Sequence, residues 1–524
     1  MKPAGDGTTL DQPGGPRGAE GLDDLPPLPV LTILGHPDLS RIGDRAFLGE
    51  LARGRTALLS RQEPNFAAPR AAAGEPLGVP FLSRKPLRIE PLPEGGVRLL
   101  RDGSPTRVVA GGTAVEESCS FSAAELDDGV VVELADQVAL LLHRRPAPVP
   151  KPSPPHGLLG ESAGIEAVHL AISRAAPLAV PVLFRGETGT GKELAARSLH
   201  EQSDRAGRPF FAVNLATLPP SLAAAELFGA RKGSYTGAVQ DLPGWFGRAD
   251  GGTLFLDEVG EAPPEVQAML LRALETGEIV PVGSQAPRRV DVRVVSATDA
   301  DLEQAVARGA FRAPLLHRLA GYSIRLPPLR RRREDIGRLL VHFLARELEA
   351  FGAALPQGAP GAEPWLPASL AARLARHDWP GNVRQLRNVA RQLAIDGHGR
   401  ATLRATPGLE ELLPLLPPPA PRPPSAEPAR RLRKPAEVSE DELLGALREH
   451  RWNLKAAAEA LGVARTSLYI LLEQSPRVRA AADVPPEEVR AAFERCGGDV
   501  EATAAALEIS ERALRQRLKD LGLR

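Results

Sequence analysis

The sequence predicts a multidomain protein: an N-terminal all-β sandwich, a central α/β phosphate-loop domain with a helical lid, and a C-terminal all-α pair of helical repeats. Three observations carry this reading. Between Leu28 and Arg145, short apolar runs such as VLTIL, TALLS and VVVEL alternate with turn residues, the texture of antiparallel strands. From Pro181 an apolar run leads into three spaced glycines and a lysine, and a helix-forming segment follows. Near the end, one pattern of small and apolar residues occurs twice, Asn453–Tyr469 being echoed by Asp499–Arg515 at a constant offset of 46 residues.

Taken in order, residues 1–27 are rich in Gly, Pro and Asp and are expected to be a disordered tail. The sandwich is expected over 28–145, and a stiff proline-rich linker over 146–157. The nucleotide domain should span 158–400, divided into an α/β part (158–328) and a lid (329–400) whose apolar faces are marked by Leu370, Leu374 and Leu386. A second proline-rich linker covers 401–437, and the repeats occupy 438–474 and 484–524.

A chain of 524 residues has room for three or four domains. Basic and acidic residues balance at 65 each, so no partner follows from net charge and any nucleic-acid affinity must be local. Two cysteines in separate regions, Cys119 and Cys496, allow neither a disulfide framework nor a zinc cluster. No run reaches the length of a membrane span and the N-terminus lacks a secretory apolar region, so a cytoplasmic protein without a membrane partner is expected.

The chemistry starts at Val182-Leu183-Phe184, an apolar run suited to a buried parallel strand. It leads into Gly186-Glu187-Thr188-Gly189-Thr190-Gly191-Lys192, the phosphate-loop pattern G-x-x-x-x-G-K. Glycines let backbone N–H groups turn toward phosphate oxygens, and the helix that follows points its positive end at the same anion. Lys192 should reach the β- and γ-phosphates; Glu193 stands where a Ser or Thr hydroxyl usually helps hold Mg²⁺. Further on, Gly251–Glu258 is an apolar strand ending in two acids. Asp257 would hold Mg²⁺ and Glu258 would polarise the attacking water. The expected reaction is hydrolysis of ATP.

Between these motifs, ELFGARKGSYTGA at 226–238 resembles the ELFG…KGAFTGA loop of bacterial enhancer-binding proteins, the AAA+ activators of sigma-54 RNA polymerase. The resemblance extends over 158–396. It implies that Gly233, Ser234, Tyr235, Thr236, Gly237 and Ala238 form the pore loop that grips sigma-54, and that the chain assembles with itself, from dimer to hexamer. It further implies that Asn214 restrains Glu258 until ATP is in place, that Arg312 and Arg318 reach a neighbouring subunit's γ-phosphate, and that Arg384 in WPGNVRQLRN senses nucleotide from the lid. The departures are GSYTGA in place of GAFTGA, Pro314 where an acid is usual, and Asp299 where the family carries an uncharged polar residue. A carboxylate at that place would repel the γ-phosphate unless protonated or paired.

Two further resemblances complete the picture. RTALLSR, PFLSRKPLRI and RVVAGG are similar to a forkhead-associated (FHA) domain, a phosphothreonine reader, which places Arg61, Ser83 and Arg84 at phosphate-contacting positions. Pro86 replaces that family's histidine and Ala110 its asparagine, so a sandwich kept only as an interaction module stays open. Each C-terminal repeat resembles the Fis-type helix-turn-helix with which enhancer-binding proteins hold DNA. The second copy carries Arg512, Arg515, Arg517 and Lys519, whereas the first has Ile470, Leu471, Leu472 and Glu473 in the corresponding stretch and offers Arg465. The second is therefore expected to bind DNA, and the first to pack against its twin or a partner subunit. The overall expectation is a sigma-54-dependent activator acting on the polymerase holoenzyme from enhancer DNA. A DNA-binding repressor that no longer engages sigma-54, and a AAA+ machine with another protein target, remain as alternatives.

Overall fold

The structure, a computed structural model, describes residues 27–68, 71, 73–146, 157–234, 239–356, 363–403 and 406–412, and much of 438–521. The expected tail and most of both proline-rich linkers lie outside the described residues.

Ten strands build the N-terminal region: β1 (Leu28–Gly35), β2 (Arg45–Phe47), β3 (Ala57–Leu59), β4 (Leu87–Pro91), β5 (Val97–Leu100), β6 (Val108–Ala110), β7 (Thr113–Ala114), β8 (Ser118–Phe121), β9 (Val130–Leu134) and β10 (Val138–Arg145). They form two antiparallel sheets, in the orders β2-β1-β10-β9-β6-β7 and β3-β4-β5-β8. Leu31, Ile33, Leu87, Ile89, Leu140 and Leu142 are all buried between them, as period-two alternation requires.

The central domain is a parallel sheet in the order β12 (Phe210–Asn214), β13 (Thr253–Asp257), β16 (Arg293–Thr298), β11 (Val182–Arg185), β17 (Tyr322–Arg325); a small ribbon of β14 (Glu278–Ile279) and β15 (Arg288–Arg289) lies apart from it. Apolar clusters cover both faces. Val182 and Phe184 join one and Leu183 the other, which is why these strands read as unbroken apolar runs. β11 lies between β16 and β17, so the chain order reverses beside the glycine loop, where open α/β sheets bind ligands.

The lid helices are Ile336–Ala350, Ala368–Arg376 and Asn382–Gly397. Leu370, Leu374 and Leu386 are buried as expected, but the linker pattern gave no hint of what covers them. Sandwich and lid share a single apolar core, with the 368–376 helix packed on β1, β9 and β10. A Cβ on Gly35 would sit 2.8 Å from the Cβ of Ala371, and one on Gly337 would sit 2.7 Å from Ile42 Cγ2. The seam is also ionic. Glu334 accepts from His143 Nδ1 at 3.0 Å and pairs with Arg145 at 3.3 Å, Arg145 reaches Glu166 at 2.8 Å, and Arg376 reaches Glu133 at 3.2 Å. Burial pushes the Glu334 carboxyl up, but the His143 hydrogen bond and the Arg45 and Arg145 charges overrule it and hold the pKa at about 2. Its stabilising contribution is therefore present above the ordinary carboxylate range and is lost as pH falls toward that value.

The C-terminal part is a separate unit. Helices Glu440–Glu449 and Leu454–Leu461 belong to the first repeat, and Pro486–Arg495, Val500–Leu507 and Glu511–Asp520 to the second. Ser439 opens the first with a capping box to Glu442. Each repeat has its own apolar core, and the cores match position by position: Val438 with Val484, Leu443 with Val489, Leu461 with Leu507, and Leu468 with Leu514. Leu471 is buried in the first repeat's own core rather than against its twin, and half-buried Leu472 packs on the same core.

The seam yields a test of sign. On a water-facing helix, Gly337→Ala should stabilise by about 1 kcal/mol through helix propensity. Against Ile42 and the Leu34 carbonyl it should instead destabilise by about 1–3 kcal/mol through overpacking. A raised unfolding midpoint by calorimetry would show that the helix does not face the sandwich.

Candidate functional site

The glycine loop after β11 is shaped by left-handed backbone at Gly189 (φ 79°) and Gly191 (φ 104°), the latter leading into the helix Lys192–Glu201. Gly189 cannot carry a side chain at all: a Cβ there would lie 2.4 Å from the carbonyl oxygen of Gly381 and 3.1 Å from Arg384 Cβ. The start of the 382–397 lid helix thus rests directly on the loop, and Val383 N–H donates to Gly189 O at 3.0 Å. This contact places Arg384, exposed, beside the loop.

Lys192 is 7% exposed and donates to Gly186 O at 2.8 Å, with its Nζ 3.7 Å from Glu258 Oε1. Glu258 follows β13 in a left-handed conformation (φ 51°), which turns it out of the strand line of Asp257. Burial raises its pKa against the pull of Lys192, and the charges of Asp299 and Asp257 raise it further, as suits a carboxylate that is to take up a proton. Asp299 is not left unpaired: Thr188 Oγ1 donates to its Oδ2 at 2.6 Å, and this bond lowers its pKa. A hydroxyl of the glycine loop thus anchors the charged carboxylate and leaves its negative charge in place. Thr190 Oγ1 turns back to Glu187 O at 2.7 Å, and Glu193 is exposed on the first helical turn.

Mg²⁺ is the metal such a loop implies. Among the described residues, no group of three or more His, Cys, Asp and Glu side chains could hold a metal alone. Asp257 offers one carboxylate at the strand end, which fits an ion held mainly by nucleotide phosphates and water.

Some predicted contacts are not made. The Asn214 side chain accepts from Ala216 N–H at 2.9 Å, and no hydrogen bond links it to Glu258 among the described residues, although Asn214 pairs with Asp257 across the sheet. Glu187 lies in the loop, but its carboxylate turns to Arg330, at 2.8 and 2.5 Å, and to Asn382 at 3.2 Å, rather than to the phosphate space. Arg312 caps the start of the helix Ala313–Leu319 and Arg318 lies in its last turn; both are exposed, Arg318 lying 3.9 Å from Glu275. Pro314 falls in that helix's first turn, where a missing N–H is tolerated.

Sequence reasoning missed Asn382, Arg330 and Arg332. Asn382 is fully buried at φ 50°, donates to Glu187 and to Thr188 O, and accepts from Leu329 N–H at 2.7 Å. Its only sequence signal is an Asn after Gly381, a residue type that tolerates left-handed backbone. Beside the loop lies a cavity of about 560 Å³ lined by Leu158, Leu194, Leu339, Phe343, Val383 and Arg332. Its mostly apolar walls suit a flat heterocycle.

The stem of the 233–238 loop is well fixed. Ala230 and Leu242 exchange hydrogen bonds at 2.9 and 2.8 Å, and Asp241 holds Arg231 at 2.6 Å and Lys232 N–H at 2.8 Å. Gly233 and Ser234 continue from this stem; Tyr235, Thr236, Gly237 and Ala238 lie outside the described residues. In the sandwich, Arg61 N–H donates to Ser83 O at 3.1 Å, which joins the two segments expected to hold phosphate. Arg84 is exposed, and Ser83 Oγ accepts from Lys85 N–H at 2.9 Å. Ala110 is buried at the end of β6. In the second repeat Arg515 and Lys519 are exposed on the 511–520 helix that also carries Arg512, whereas Arg517 turns inward and donates to Val484 O at 3.4 Å. Arg465 lies outside the described residues.

Comparison with known proteins agrees with this geometry. Residues 158–325 match the sigma-54 interaction domain, 330–402 the AAA+ ATPase lid domain, and 434–470 the bacterial regulatory protein Fis family. The Fis match thus falls on the first repeat. The DNA-binding transcriptional regulator NtrC of Klebsiella pneumoniae is 45% identical over 260 residues, covering 50% of this chain and 54% of its own. The C4-dicarboxylate transport transcriptional regulatory protein DctD of Rhizobium meliloti is 38% identical over 317 residues, covering 60% and 64%. The crystal structure of NtrX from Brucella abortus aligns over 70% of this chain and 69% of its own, at 31% identity and a TM-score of 0.43. The chain spans about half the length of the NtrC relatives it matches. With a sigma-54 interaction domain, its AAA+ lid and a Fis-family segment in order along one chain, the protein belongs to the sigma-54-dependent regulators and carries a P-loop ATPase domain at its centre.

Proposed function

We propose that this chain is an activator that binds enhancer DNA through its C-terminal repeats, hydrolyses ATP with Mg²⁺, and uses the cycle to remodel the closed complex of sigma-54 RNA polymerase. The observation that carries the reading is the grouping of Lys192, Glu258, Asp257 and Thr188-bound Asp299 at the strand ends of a sigma-54 interaction domain. Glu258, turned out of β13 and raised in pKa, is the base that orients the attacking water; Lys192 meets the β- and γ-phosphates. Bound there, Mg²⁺ would offset phosphate charge. The exposure of Arg312 and Arg318 supports their reaching a neighbour's nucleotide in a homo-oligomeric ring, and the stem at 230–242 would carry the 233–238 loop toward sigma-54. No helix among the described residues is long and apolar enough to cross a membrane, and we place the protein in the cytoplasm.

Lys192→Ala should abolish ATP binding, and Glu258→Gln should bind ATP but lose at least about a hundredfold in turnover. Turnover by Glu258→Gln at the parent rate would remove the assignment. Tyr235→Phe should leave ATPase activity intact and keep open-complex formation on sigma-54 polymerase; loss of ATPase activity there would make the loop structural.

The sandwich is read as an FHA-like sensor of a phosphothreonine protein, supported by the hydrogen bond that joins the Arg61 and Ser83 segments. Affinity should be weak, because Ala110 has no amide to hold a peptide backbone. Arg84→Ala should weaken phosphothreonine-peptide binding about tenfold or more, the size of one charge-assisted hydrogen bond. A peptide library without phosphate-dependent binders would leave the sandwich as an interaction module.

For DNA, the charge distribution favours the second repeat, with Arg515 and Lys519 outward on the helix that also carries Arg512; the Fis match gives the first repeat, with Arg465, a specific claim as well. Reversing Arg515 and Lys519 to Glu should abolish enhancer binding and flatten its salt dependence. If Arg465→Glu did so instead, the first repeat would be the reader.

A further inference from the structure

The turn between β17 and the lid is held from two sides. Toward the nucleotide space, Arg330 grips Glu187 of the glycine loop with a bidentate pair, and Arg332 Nη2 reaches Thr190 O at 3.4 Å. Arg332 is 2% exposed, its Nε and Nη1 have no hydrogen-bond partner in the protein, and it lines the cavity beside the loop. A buried guanidinium with donors unused keeps a desolvation penalty that an anionic ligand in that cavity would relieve. Toward the sandwich, Glu334 is 7% exposed and binds His143 and Arg145, both from β10. Asp335, 1% exposed, accepts from Glu161 N–H at 2.7 Å and from Ser162 N–H and Oγ at 3.0 and 2.7 Å, which fastens the segment after Leu158 that forms another wall of the cavity. Arg332 and Glu334 are two residues apart, on a turn whose own hydrogen bonds, Arg332 N–H to Leu329 O and Asp335 N–H to Arg332 O, leave little slack.

We propose that Arg332 is a positioning residue for the glycine loop and that the turn 330–335 carries the state of the sandwich to that loop through Glu334. A sandwich that keeps its grip on Glu334 holds Arg332 under Thr190 in the geometry that receives phosphate. A sandwich that shifts, as on binding its own partner, releases the turn and loosens the nucleotide site. This rests on the ATPase character of the central domain and goes beyond it by naming the path from the regulatory module.

The test uses the full chain and measures the ATP dissociation constant, KM and kcat. Arg332→Gln should weaken ATP about tenfold, with kcat changed by about twofold or less, and Arg332→Lys should recover part of the loss. Glu334→Gln, which keeps shape and touches only the sandwich side, should reproduce a several-fold loss of ATP affinity. Arg145→Gln should give the same direction with the buried carboxylate still held by His143, and so guards against a Glu334 variant that fails to fold. The double variant Arg332→Gln/Glu334→Gln should bind ATP no more weakly than Arg332→Gln alone, since both act through one element. Arg376→Gln, which breaks a sandwich–lid ion pair off the turn, should leave ATP affinity unchanged. Parental affinity in both Glu334→Gln and Arg145→Gln, multiplying losses in the double variant, or an equal loss in Arg376→Gln would overturn the proposal. A parent that binds no ATP would instead refute the nucleotide reading on which it rests.

Discussion

A loop that binds phosphate with backbone N–H groups needs something to hold its chain in a shape it would not keep alone. Here the holding is done by direct backbone contact. Gly189 lies against Gly381 with no space for a Cβ, Val383 N–H closes the contact, and Asn382 ties the loop to the turn after β17. The lid is therefore part of the binding loop's own geometry and not merely a cover. What fixes the start of the 382–397 helix and the turn after β17 bears on the phosphate space, and that turn is also gripped by the sandwich through Glu334.

The central chemistry was legible because it depends on short local patterns. An apolar strand, a glycine loop and a helix specify the phosphate site within a few residues, and a strand ending in Asp257 and Glu258 specifies the acid pair. The burial of Leu370, Leu374 and Leu386 also follows from periodicity. What periodicity cannot give is the partner of a buried face. Leu370 and Leu374 read as lid core, yet their helix packs on β1, β9 and β10, because an apolar stripe carries no label for what covers it. The side-chain roles of Glu187 and Asp299 were obscured for a similar reason. Each carboxylate found a donor distant in sequence, Arg330 in one case and Thr188 in the other, and no local rule foretells which pairing wins.

The same logic explains the ionic seam. Glu334, His143 and Arg145 are charged or titratable residues that composition alone assigns to the surface. They are buried because the two modules close over them together, each supplying groups the other would be unable to bury alone. A pair of this kind contributes little net attraction compared with apolar packing, but it is unforgiving of misplacement. It suits a joint that must seat in one position, and that is the property a regulatory module needs if its movement is to be felt at a distance.

The C-terminal repeats show how far charge can mislead. Four basic residues on one helix invite reading all four as DNA contacts, but the 46-residue correspondence gives one of them a counterpart of known environment. Arg517 falls opposite Leu471, which is 9% exposed in the first repeat's core. At that place the second repeat uses an arginine whose guanidinium bonds to Val484 O, so the aliphatic stem fills a core position while the head satisfies a carbonyl. The backbone obeys the same correspondence: Trp452 and Gly498, and Gly462 and Glu508, all take left-handed φ, 46 residues apart in each pair. A repeat conserved at the level of backbone handedness constrains which side chains point inward more strictly than amphipathic charge counting does. On that basis the outward basic surface of the second repeat belongs to Arg515 and Lys519, and Arg517 belongs to its fold.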